Sequence, residues 1–427
     1  MSGVSIPFRK IAILGLGRTG RALVSSLAPL GPSLFLSEAR PLSQEERDFL
    51  RRHGAAWEEG GHSQRVLAAE LIVPSPGVPP RLPVLEEAWR RGIHIWSEIE
   101  LSFRLASPDK LLAVTGTNGK STTCELIGAI LKAAGFSPVV AGNIGRPAIS
   151  TAKEVFGRPW VLEVSSYQLE WTEAFRPQVA VWLNFAPDHL DHHESLAAYF
   201  AAKAKIISNQ GEGDVAVLPP ELRAALSPRA RVVDFSRASL PSGWGMGLPE
   251  HLLLDLKAAW RAACAAYPAI AASPPPYPRV ERALRQPHRL EWVGEWRGIT
   301  FINDSKATNA HATCAALRAL DRQVVLILGG RHKGTGYEIL RPLLSDKVRH
   351  CVLVGESQEF FSRLLSRWGI PHELAANPLD ALQRAYARAR PGDAVLLSPA
   401  CASFDQFEDY AHRGEVYRKA FGQLSSS

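Results

Sequence analysis

The sequence predicts an α/β protein of three domains. Short apolar runs alternate with stretches of helical periodicity, which is the pattern of βαβ units and mostly parallel sheets. A chain of 427 residues, of which 46% are hydrophobic, is long enough for two to four domains with their own cores. A turn at Ser107–Asp109 and a proline-rich segment at Ala272–Pro278, which cannot lie inside a helix, separate three sets of elements. We therefore expect domains at residues 1–107, 108–285 and 286–427.

The first domain begins with alternating strands and helices and carries a glycine pattern. The predicted strands are Lys10–Leu14, Leu34–Leu36 and Leu71–Val73, and the predicted helices are Thr19–Ala28 and Ser43–His53. Gly15, Gly17 and Gly20 follow the first strand with the spacing G-x-G-x-x-G and open a helix, so the pattern favours a diphosphate at the helix N-terminus. Glu38 follows Gly20 in the sequence, at a spacing close to that of the acidic residue that contacts a ribose in such domains. The pattern predicts a Rossmann-like domain, and NAD, FAD and UDP-sugars all satisfy it.

The second domain opens with the strongest motif in the sequence. The apolar run Leu111–Val114 leads into Thr115–Thr122, which reads TGTNGKST, and an apolar-periodic helix begins near Ser121. A strand, a glycine-rich loop and a helix in this order place backbone N–H groups around phosphates. Lys120 can reach the β- and γ-phosphate oxygens, and the Ser121 hydroxyl can bind Mg²⁺. Because Val114 stands at the place of the first glycine, this is a variant phosphate loop in a domain that resembles a P-loop ATPase. The candidate ATP-binding residues are Gly116, Thr117, Asn118, Gly119, Lys120, Ser121 and Thr122.

Two further segments of this domain carry candidate metal ligands. Glu163 ends the apolar run that begins at Trp160, and an acidic residue at a strand end near a phosphate loop suits a metal ion. The segment Asn184–His193 is dense in Asp and His, which can bind hard or borderline cations, and it contains His189. Lys203 lies in the following helix, where periodicity alone makes it an ordinary helix lysine.

The third domain repeats the alternation of strands and helices. The runs Ile299–Ile302, Val324–Leu328, Cys351–Val354 and Ala394–Leu397 have the character of buried strands and are separated by helical stretches. We expect a Rossmann-like α/β domain here as well.

Composition excludes several classes of protein. The net charge is +7, but the basic residues are spread along the chain among Glu residues, so we expect no nucleic-acid partner. No apolar run reaches the ~20 residues that span a bilayer, so we expect no membrane insertion. The five cysteines are scattered without a CxxC pair, which argues against a disulfide framework or a structural zinc site. We expect a cytoplasmic monomer.

The motifs that stand out along the chain are Thr115–Thr122, Gly142–Gly145, Glu163–Glu170, Asp188–Asp191, Pro287–Arg289, Asn303–Asn309, Leu397–Ser403 and Asp405–Phe407. Together they resemble the Mur ligases, which are ATP-dependent amino-acid ligases of peptidoglycan synthesis. The resemblance covers essentially the whole chain, and the branch it is most similar to adds D-glutamate to UDP-N-acetylmuramoyl-L-alanine through an acyl phosphate. Such an enzyme serves cell-wall formation, cell shape and cell division.

The resemblance implies roles for individual residues. Lys120, Glu163, His189 and Lys203 would be catalytic. One Mg²⁺ would be bound by Ser121 and Glu163 and a second by His189 and Lys203, with Lys203 carbamylated. The UDP-substrate would contact Arg18, Thr19, Arg40, Ser75, Asn143, Ser165 and His189. ATP would also contact Arg289, Asp304 and Lys306, with His288 at the hinge, and D-glutamate would contact Thr308, Lys333, Ser403 and Phe407.

Other functions stay open at this stage. A sister Mur ligase or a folylpolyglutamate synthetase-like ligase would share the phosphate loop and metal ligands, but it should lack the combination of Lys333, Ser403 and Asp405–Phe407. A nicotinamide- or flavin-dependent oxidoreductase would leave Lys120 and Glu163 unexplained. A non-catalytic binding protein is the third alternative, because the family's His-Asn-x-x-Asn block here reads His251–Asp255.

Overall fold

The computed structural model describes residues 6–190, 192–334 and 336–426, whose strands form three sheets flanked by helices. The chain divides into two compact units. The first comprises Met1–Phe185, His192–Met246 and Leu252–Val280, and the second comprises Ala186–Asp191, Gly247–His251 and Glu281–Ser427. The predicted α/β class with parallel sheets is confirmed.

The first sheet of the first unit lies in the N-terminal part of the chain. Its strands alternate with helices in the order β1 (Lys10–Leu14), α1 (Arg18–Leu27), β2 (Ser33–Glu38), α2 (Gln44–Arg52), β3 (Ala56–Glu59), β4 (Leu71–Pro74), α3 (Pro83–Arg90), β5 (His94–Ile95) and α4 (Glu98–Leu105). The strands pair in parallel in the order β3-β2-β1-β4-β5. The glycine turn between β1 and α1 directly follows the carboxyl end of the central strand. Ligands of open α/β sheets bind at the carboxyl ends of such strands.

The second sheet carries the phosphate loop. The elements from residue 110 to 281 are β6 (Lys110–Thr115), α5 (Lys120–Ala133), β7 (Val139–Gly142), β8 (Pro159–Glu163), α6 (Ser166–Glu170), β9 (Val179–Trp182), α7 (Leu196–Ser208), β10 (Val215–Leu218), α8 (Pro220–Ala225), β11 (Arg231–Asp234), α9 (Glu250–Ala266), α10 (Ala269–Ala272) and α11 (Tyr277–Glu281). The strands are parallel in the order β11-β10-β9-β6-β8-β7. Trp160, Phe175 and Trp182 are fully buried in its core. Because β6 lies between β8 and β9, the segments that follow these three strands meet at one edge.

The sheet of the second unit has one antiparallel edge. Its elements are β12 (Glu291–Trp296), β13 (Ile299–Asn303), α12 (Ala310–Ala319), β14 (Val324–Leu328), α13 (Arg341–Lys347), β15 (Val348–Leu353), α14 (Gln358–Trp368), β16 (His372–Leu374), α15 (Pro378–Arg388), β17 (Ala394–Leu397) and α16 (Tyr410–Ser425). The order is β12-β13-β17-β14-β15-β16, and only the pair β12–β13 is antiparallel among the described strands. The central strands β17 and β14 are entirely buried, so the loops after them begin at the buried centre of the sheet.

Only the middle of the proline-rich segment Ala272–Pro278 lies outside helices. Helix α10 ends at Ala272, and α11 already begins at Tyr277. Pro278 lies in the first turn of α11, where its missing N–H needs no partner. No disulfide joins the five cysteines, all of which lie in the described ranges. Within the described part of the chain, every helix is too short or too polar to cross a membrane.

Candidate active site

The phosphate loop connects β6 to α5 and bends through left-handed backbone. Gly119, which precedes α5, has φ = +84°, and a Cβ there would lie 2.2 Å from Asp255 Oδ1. Only glycine fits this position, because any side chain would meet both the strained φ and the Asp255 carboxylate. Lys120 Nζ donates to Gly116 O at 3.1 Å and to Thr117 O at 2.9 Å. The loop thus has the helix N-terminus and an ammonium group that a nucleotide phosphate requires.

An asparagine that the sequence analysis gave no role fixes the shape of this loop. Asn184 Oδ1 accepts hydrogen bonds from Thr117 N at 3.1 Å and Asn118 N at 3.0 Å. Its Nδ2 donates to Asn118 O at 3.1 Å. Asn184 follows β9, the neighbour of β6, so its position after a buried strand was the signal that could have identified it.

Glu163 is the last residue of β8 and pairs in register with Val114 of β6. Its side chain is 3% exposed, and Oε1 accepts a hydrogen bond from Asn143 Nδ2 at 2.7 Å. Oε2 is buried and has no hydrogen-bond partner among the described residues. An unpartnered buried carboxylate oxygen is costly, and a hard divalent cation would satisfy it. Ser121 is also buried in the first turn of α5, so the donor set fits Mg²⁺.

Lys203 lies on α7 and is 1% exposed. Its Nζ donates to Gly116 O at 2.8 Å and lies 3.4 Å from Thr115 Oγ1. The ammonium also lies 4.8 Å from the centre of the Tyr199 ring. A lysine that periodicity could not distinguish thus contacts the same loop carbonyl as Lys120.

The glycine turn after β1 packs tightly against Ser75. Ser75 Oγ donates to Gly15 O at 3.2 Å, and a Cβ on Gly20 would lie 2.0 Å from that same oxygen. Glu38 Oε2 accepts a hydrogen bond from Leu16 N at 2.6 Å. The Glu38 carboxylate, suggested as a ribose contact, therefore holds the turn itself. Arg18 and Thr19 are the first two residues of α1.

Two predicted substrate residues have partners within the protein. The Arg40 guanidinium donates to both carboxylate oxygens of Glu46, at 2.6 and 2.9 Å. The hydrogen bond from Arg40 lowers the pKa of Glu46 to about 2, although burial opposes the shift. Ser165 caps α6 by accepting a hydrogen bond from Gln168 N at 3.3 Å. Substrate contacts by Arg40 and Ser165 would have to coexist with these bonds or replace them.

A cleft in the first unit contains a buried acid. The cleft is lined by Ser75, Glu98, Tyr167, Gln168, Trp171 and His192, among other residues. Glu98 Oε1 accepts a hydrogen bond from Ile149 N at 2.6 Å, but Oε2 is buried without a hydrogen-bond partner among the described residues. Burial raises the pKa of Glu98 to about 7, against the opposing effects of Ile149 N, Ser102 and Arg18.

The second unit contains a pocket around Lys333. Lys333 Nζ lies 2.9 Å from Asp188 Oδ1, and Asn309 Nδ2 donates to Asp188 Oδ2 at 3.1 Å. Burial alone would raise the pKa of Asp188, but Lys333, His189 and Asn309 outweigh it and lower the pKa to about 2. Tyr337 OH accepts a hydrogen bond from Lys333 N at 3.1 Å and lines the same pocket. Asp191, the last residue of the Asp188 motif, lies outside the described residues.

Asp304 lies at the carboxyl end of β13 and is buried. Its two oxygens accept hydrogen bonds from Leu290 N at 3.1 Å and Ser398 Oγ at 2.9 Å. Burial raises its pKa to about 7, against opposing effects that include the Arg289 charge. Lys306 is near: its N donates to His288 O at 3.0 Å, and Ala307 N donates to Asp304 O at 2.9 Å. The structure thus brings together the predicted residues Arg289, Asp304 and Lys306, and Thr308 follows in the same turn.

The loops after β14 and β17 are joined by a backbone bridge. Arg331 and Ala402 exchange hydrogen bonds of 2.9 and 3.0 Å, which brings Lys333 and Ser403 onto paired segments. Ser403 is 2% exposed, and its carbonyl accepts a hydrogen bond from Phe407 N at 3.0 Å.

A buried arginine that no sequence motif marked binds the segments around Ser305 and Cys401 by hydrogen bonds. Arg413 donates to Ser305 O at 2.8 Å, to Ser305 Oγ at 2.9 Å and to Cys401 O at 3.1 Å. Nothing in its helical surroundings on α16 distinguished it.

The predicted residues divide between the units: Lys120, Glu163 and Lys203 belong to the first, whereas His189, Asp304 and Lys333 belong to the second.

A phosphate loop on a parallel sheet, with a buried acid at the end of the strand paired beside it, is typical of the class of phosphate-loop α/β enzymes. Comparison with known proteins narrows this class. Residues 10–84 match the MurD N-terminal domain, residues 114–242 the Mur ligase middle domain, and residues 288–401 the glutamate ligase domain of Mur ligases. The chain belongs to the Mur ligase family.

Individual relatives agree with this family. The UDP-N-acetylmuramoylalanine--D-glutamate ligase of Salinibacter ruber is 38% identical over 96% of this chain and 97% of its own length. The structure of UDP-N-acetylmuramate-alanine ligase MurC from Thermotoga maritima has a TM-score of 0.54 at 18% identity and covers 97% of this chain and 99% of its own. The bifunctional folylpolyglutamate synthase/dihydrofolate synthase of Yersinia pestis, solved with AMPPNP and a Mn ion, has a TM-score of 0.55 at 18% identity, over 76% of this chain and 93% of its own. The last two show a shared fold.

Proposed function

We propose that the protein is an ATP-dependent ligase that joins D-glutamate to UDP-N-acetylmuramoyl-L-alanine in peptidoglycan precursor synthesis. The observation that carries this proposal is the phosphate loop with Lys120, next to the unpartnered carboxylate oxygen of Glu163. The family's glutamate ligase domain matches the part of the chain that contains Lys333. The curated relatives that carry this activity in their names support the choice of substrates.

The proposal assigns one substrate to each part of the chain. Residues 1–107 would bind the UDP moiety, residues 108–285 ATP, and residues 286–427 D-glutamate. The contact between Ser75 and the Gly15 turn supports the first assignment, because a diphosphate at the start of α1 would meet both. We further propose that the protein is a cytoplasmic monomer.

Two magnesium ions belong to the proposal as bound cofactors. Ser121 and Glu163 would hold one ion, and His189 with a carbamylated Lys203 would hold the other. When bound, Mg²⁺ would screen the charge that builds up on the transferred phosphate. The burial of Lys203 supports carbamylation, because burial favours the neutral amine, and that amine adds CO₂ and releases a proton to become an anionic oxygen ligand.

The chemistry assigned to this chain has two steps. A carboxylate is a poor acyl donor, so the acceptor carboxylate first attacks the γ-phosphate of ATP, while Lys120 offsets the repulsion between the two anions. ADP leaves, and the product is an acyl phosphate. The amine of D-glutamate then attacks the activated carbonyl, loses a proton and expels phosphate. Lys333 would orient D-glutamate through one of its carboxylates.

Phosphate release tests this proposal. We expect sustained release of phosphate only when ATP, UDP-N-acetylmuramoyl-L-alanine and D-glutamate are all present, because phosphate leaves in the second step, and L-glutamate should not replace the D-isomer. K120A should lower the rate about 100-fold or more, because a donor to the developing charge is lost, whereas K132A, at the other end of α5, should not. Release that needs no acceptor, or a preference for another amino acid, would overturn the proposal.

A further inference from the structure

A cluster of two histidines and one glutamate lies in the first unit and has no part in the proposed reaction. Glu170 ends α6, and His192 and His193 lie in the segment before α7. One ligand atom from each of the three side chains lies within 4.8 Å of the other two. His192 Nε2 and Glu170 Oε2 are already 2.9 Å apart.

Neighbouring groups hold these side chains in place. The His192 ring lies 4.0 Å from the Tyr167 ring, centre to centre, and 4.9 Å from the His193 ring. His193 Nε2 lies 2.9 Å from Ser166 Oγ. The cluster is sheltered, because the side chains of His192 and Glu170 are 12% and 27% exposed and His193 is 4% exposed. The donors are therefore positioned before any ligand arrives.

We propose that Glu170, His192 and His193 form a binding site for one divalent transition-metal ion of borderline softness, such as Zn²⁺. Two imidazoles and one carboxylate form a donor set that such ions use, with one coordination position left for water or a substrate. Mg²⁺ prefers oxygen ligands, so this site differs in chemistry from the pair Ser121 and Glu163.

The distances suit such an ion. Bonds of 2.0–2.1 Å in a tetrahedron place neighbouring donor atoms roughly 3.3 Å apart. Since the donors now lie within 4.8 Å of one another, small side-chain rotations bring them to that separation. His192 also lines the cleft that contains Ser75 and Glu98, so one side of the cluster borders this cleft.

Titration of the full-length protein with Zn²⁺ tests the proposal. The protein is stripped with a chelator, exchanged into buffer with excess Mg²⁺ and titrated with ZnCl₂ by calorimetry. We expect one tight site in the unaltered chain and at least a 10-fold weaker site in H192A and in E170Q. His94 is an exposed histidine on β5, so H94A is the matched control and should bind Zn²⁺ as the unaltered protein does.

Spectroscopy identifies the ligands. With Co²⁺ in place of Zn²⁺, we expect a visible absorption band of a four-coordinate ion, which is lost in H192A and E170Q and retained in H94A. Thermal melting of the metal-free variants checks that they are folded, and E170Q preserves the shape of the side chain if H192A does not fold. Equal Zn²⁺ affinity in the unaltered protein, H192A and E170Q would overturn the proposal.

Discussion

Lys333 Nζ lies 2.9 Å from Asp188 Oδ1 in a pocket where the Lys333 side chain is only 16% exposed. Asp188 is 7% exposed, and its other oxygen is satisfied by Asn309. The ion pair is thus mostly removed from water. Removing one partner would leave the other charge buried and unpaired, which costs free energy of folding. A substrate carboxylate that binds Lys333 would share the ammonium with Asp188 or displace Asp188 from it, so the strength of this pair would affect the affinity of the pocket.

We first predict that K333A weakens the use of D-glutamate. A charge-assisted hydrogen bond is worth about 1.5–3 kcal/mol, so kcat/KM for D-glutamate should fall roughly 10- to 150-fold. The KM for ATP should change much less. Arg331 lies on the same loop, and its side chain pairs with Glu356 at an exposed site, so R331A is the control and should change kcat/KM less than threefold. Equal losses of kcat/KM for D-glutamate in K333A and R331A would contradict a contact between Lys333 and D-glutamate.

The second prediction concerns Asn184, which binds two N–H groups of the phosphate loop. N184A should raise the KM for ATP about 10-fold, because losing hydrogen bonds of about 1 kcal/mol each loosens the loop. Asn209 Nδ2 also makes two backbone hydrogen bonds, to Glu173 O and Phe175 O, away from the loop. N209A should therefore lower the melting temperature similarly without changing the KM for ATP. An unchanged KM for ATP in N184A would contradict the role of Asn184.

The third prediction compares two glycines at opposite ends of α5. Gly119 and Gly135 both have positive φ, but a Cβ on Gly119 would meet Asp255 at 2.2 Å, whereas a Cβ on Gly135 would meet nothing within 4 Å. G135A should cost about 1 kcal/mol of stability through backbone strain alone. G119A should cost more and should abolish ATP binding, measured by calorimetry with a non-hydrolysable analogue. ATP binding that survives in G119A and is lost in G135A would refute the description of this loop.

Much of the fold could be predicted because hydrophobic period and glycine spacing act locally. The run Lys10–Leu14 is a strand as predicted, and the strand–loop–helix order around Lys120 is confirmed. The start of α11 was missed, because a proline that excludes helix interior is allowed in the first turn. Local rules thus predict elements better than the ends of elements.

The candidate site could be predicted only in part, because its chemistry depends on contacts between distant residues. Asn184 contacts Thr117 across 67 positions, and the carboxylate of Asp255, from another helix, lies 2.2 Å from the position that a Cβ on Gly119 would take. The end of β9 marks Asn184 as a candidate, but no local pattern identifies the residue that either side chain contacts. Lys203 was identified only by family resemblance, and the structure adds its burial and its bond to Gly116 O.

The fourth prediction addresses carbamylation of Lys203. K203A should lose most activity, and millimolar formate or acetate should partly restore it, because a small carboxylate can replace the oxygens of the carbamate. Lys205 lies on the same helix and donates to Glu170 O, so any loss in K205A should not respond to these acids. If neither acid restores activity to K203A at any concentration, Lys203 acts as a structural amine.

The fifth prediction concerns pH and Glu98. Its pKa is raised from 4.5 to about 7 in the folded protein, so its contribution to stability is fully present below pH 4.5 and is lost as the pH rises through 7. At 1.36 kcal/mol per pKa unit, the full effect is about 3 kcal/mol. E98Q retains the acceptor for Ile149 N without a charge, so its melting temperature should exceed that of the unaltered protein by more at pH 8 than at pH 5. Asp304 titrates in both proteins and cancels in this difference. Parallel melting curves across this range would contradict the raised pKa.

The most direct test of the proposed reaction follows the oxygen of the acceptor. UDP-N-acetylmuramoyl-L-alanine is labelled with ¹⁸O in its alanine carboxylate and incubated with ATP, Mg²⁺, D-glutamate and the protein, and the released phosphate is analysed by mass spectrometry. Because the carboxylate oxygen attacks the γ-phosphate and stays with it when the amide forms, we predict one ¹⁸O atom in each phosphate. Unlabelled phosphate, released while the amide product forms, would contradict activation of the acceptor by this chain.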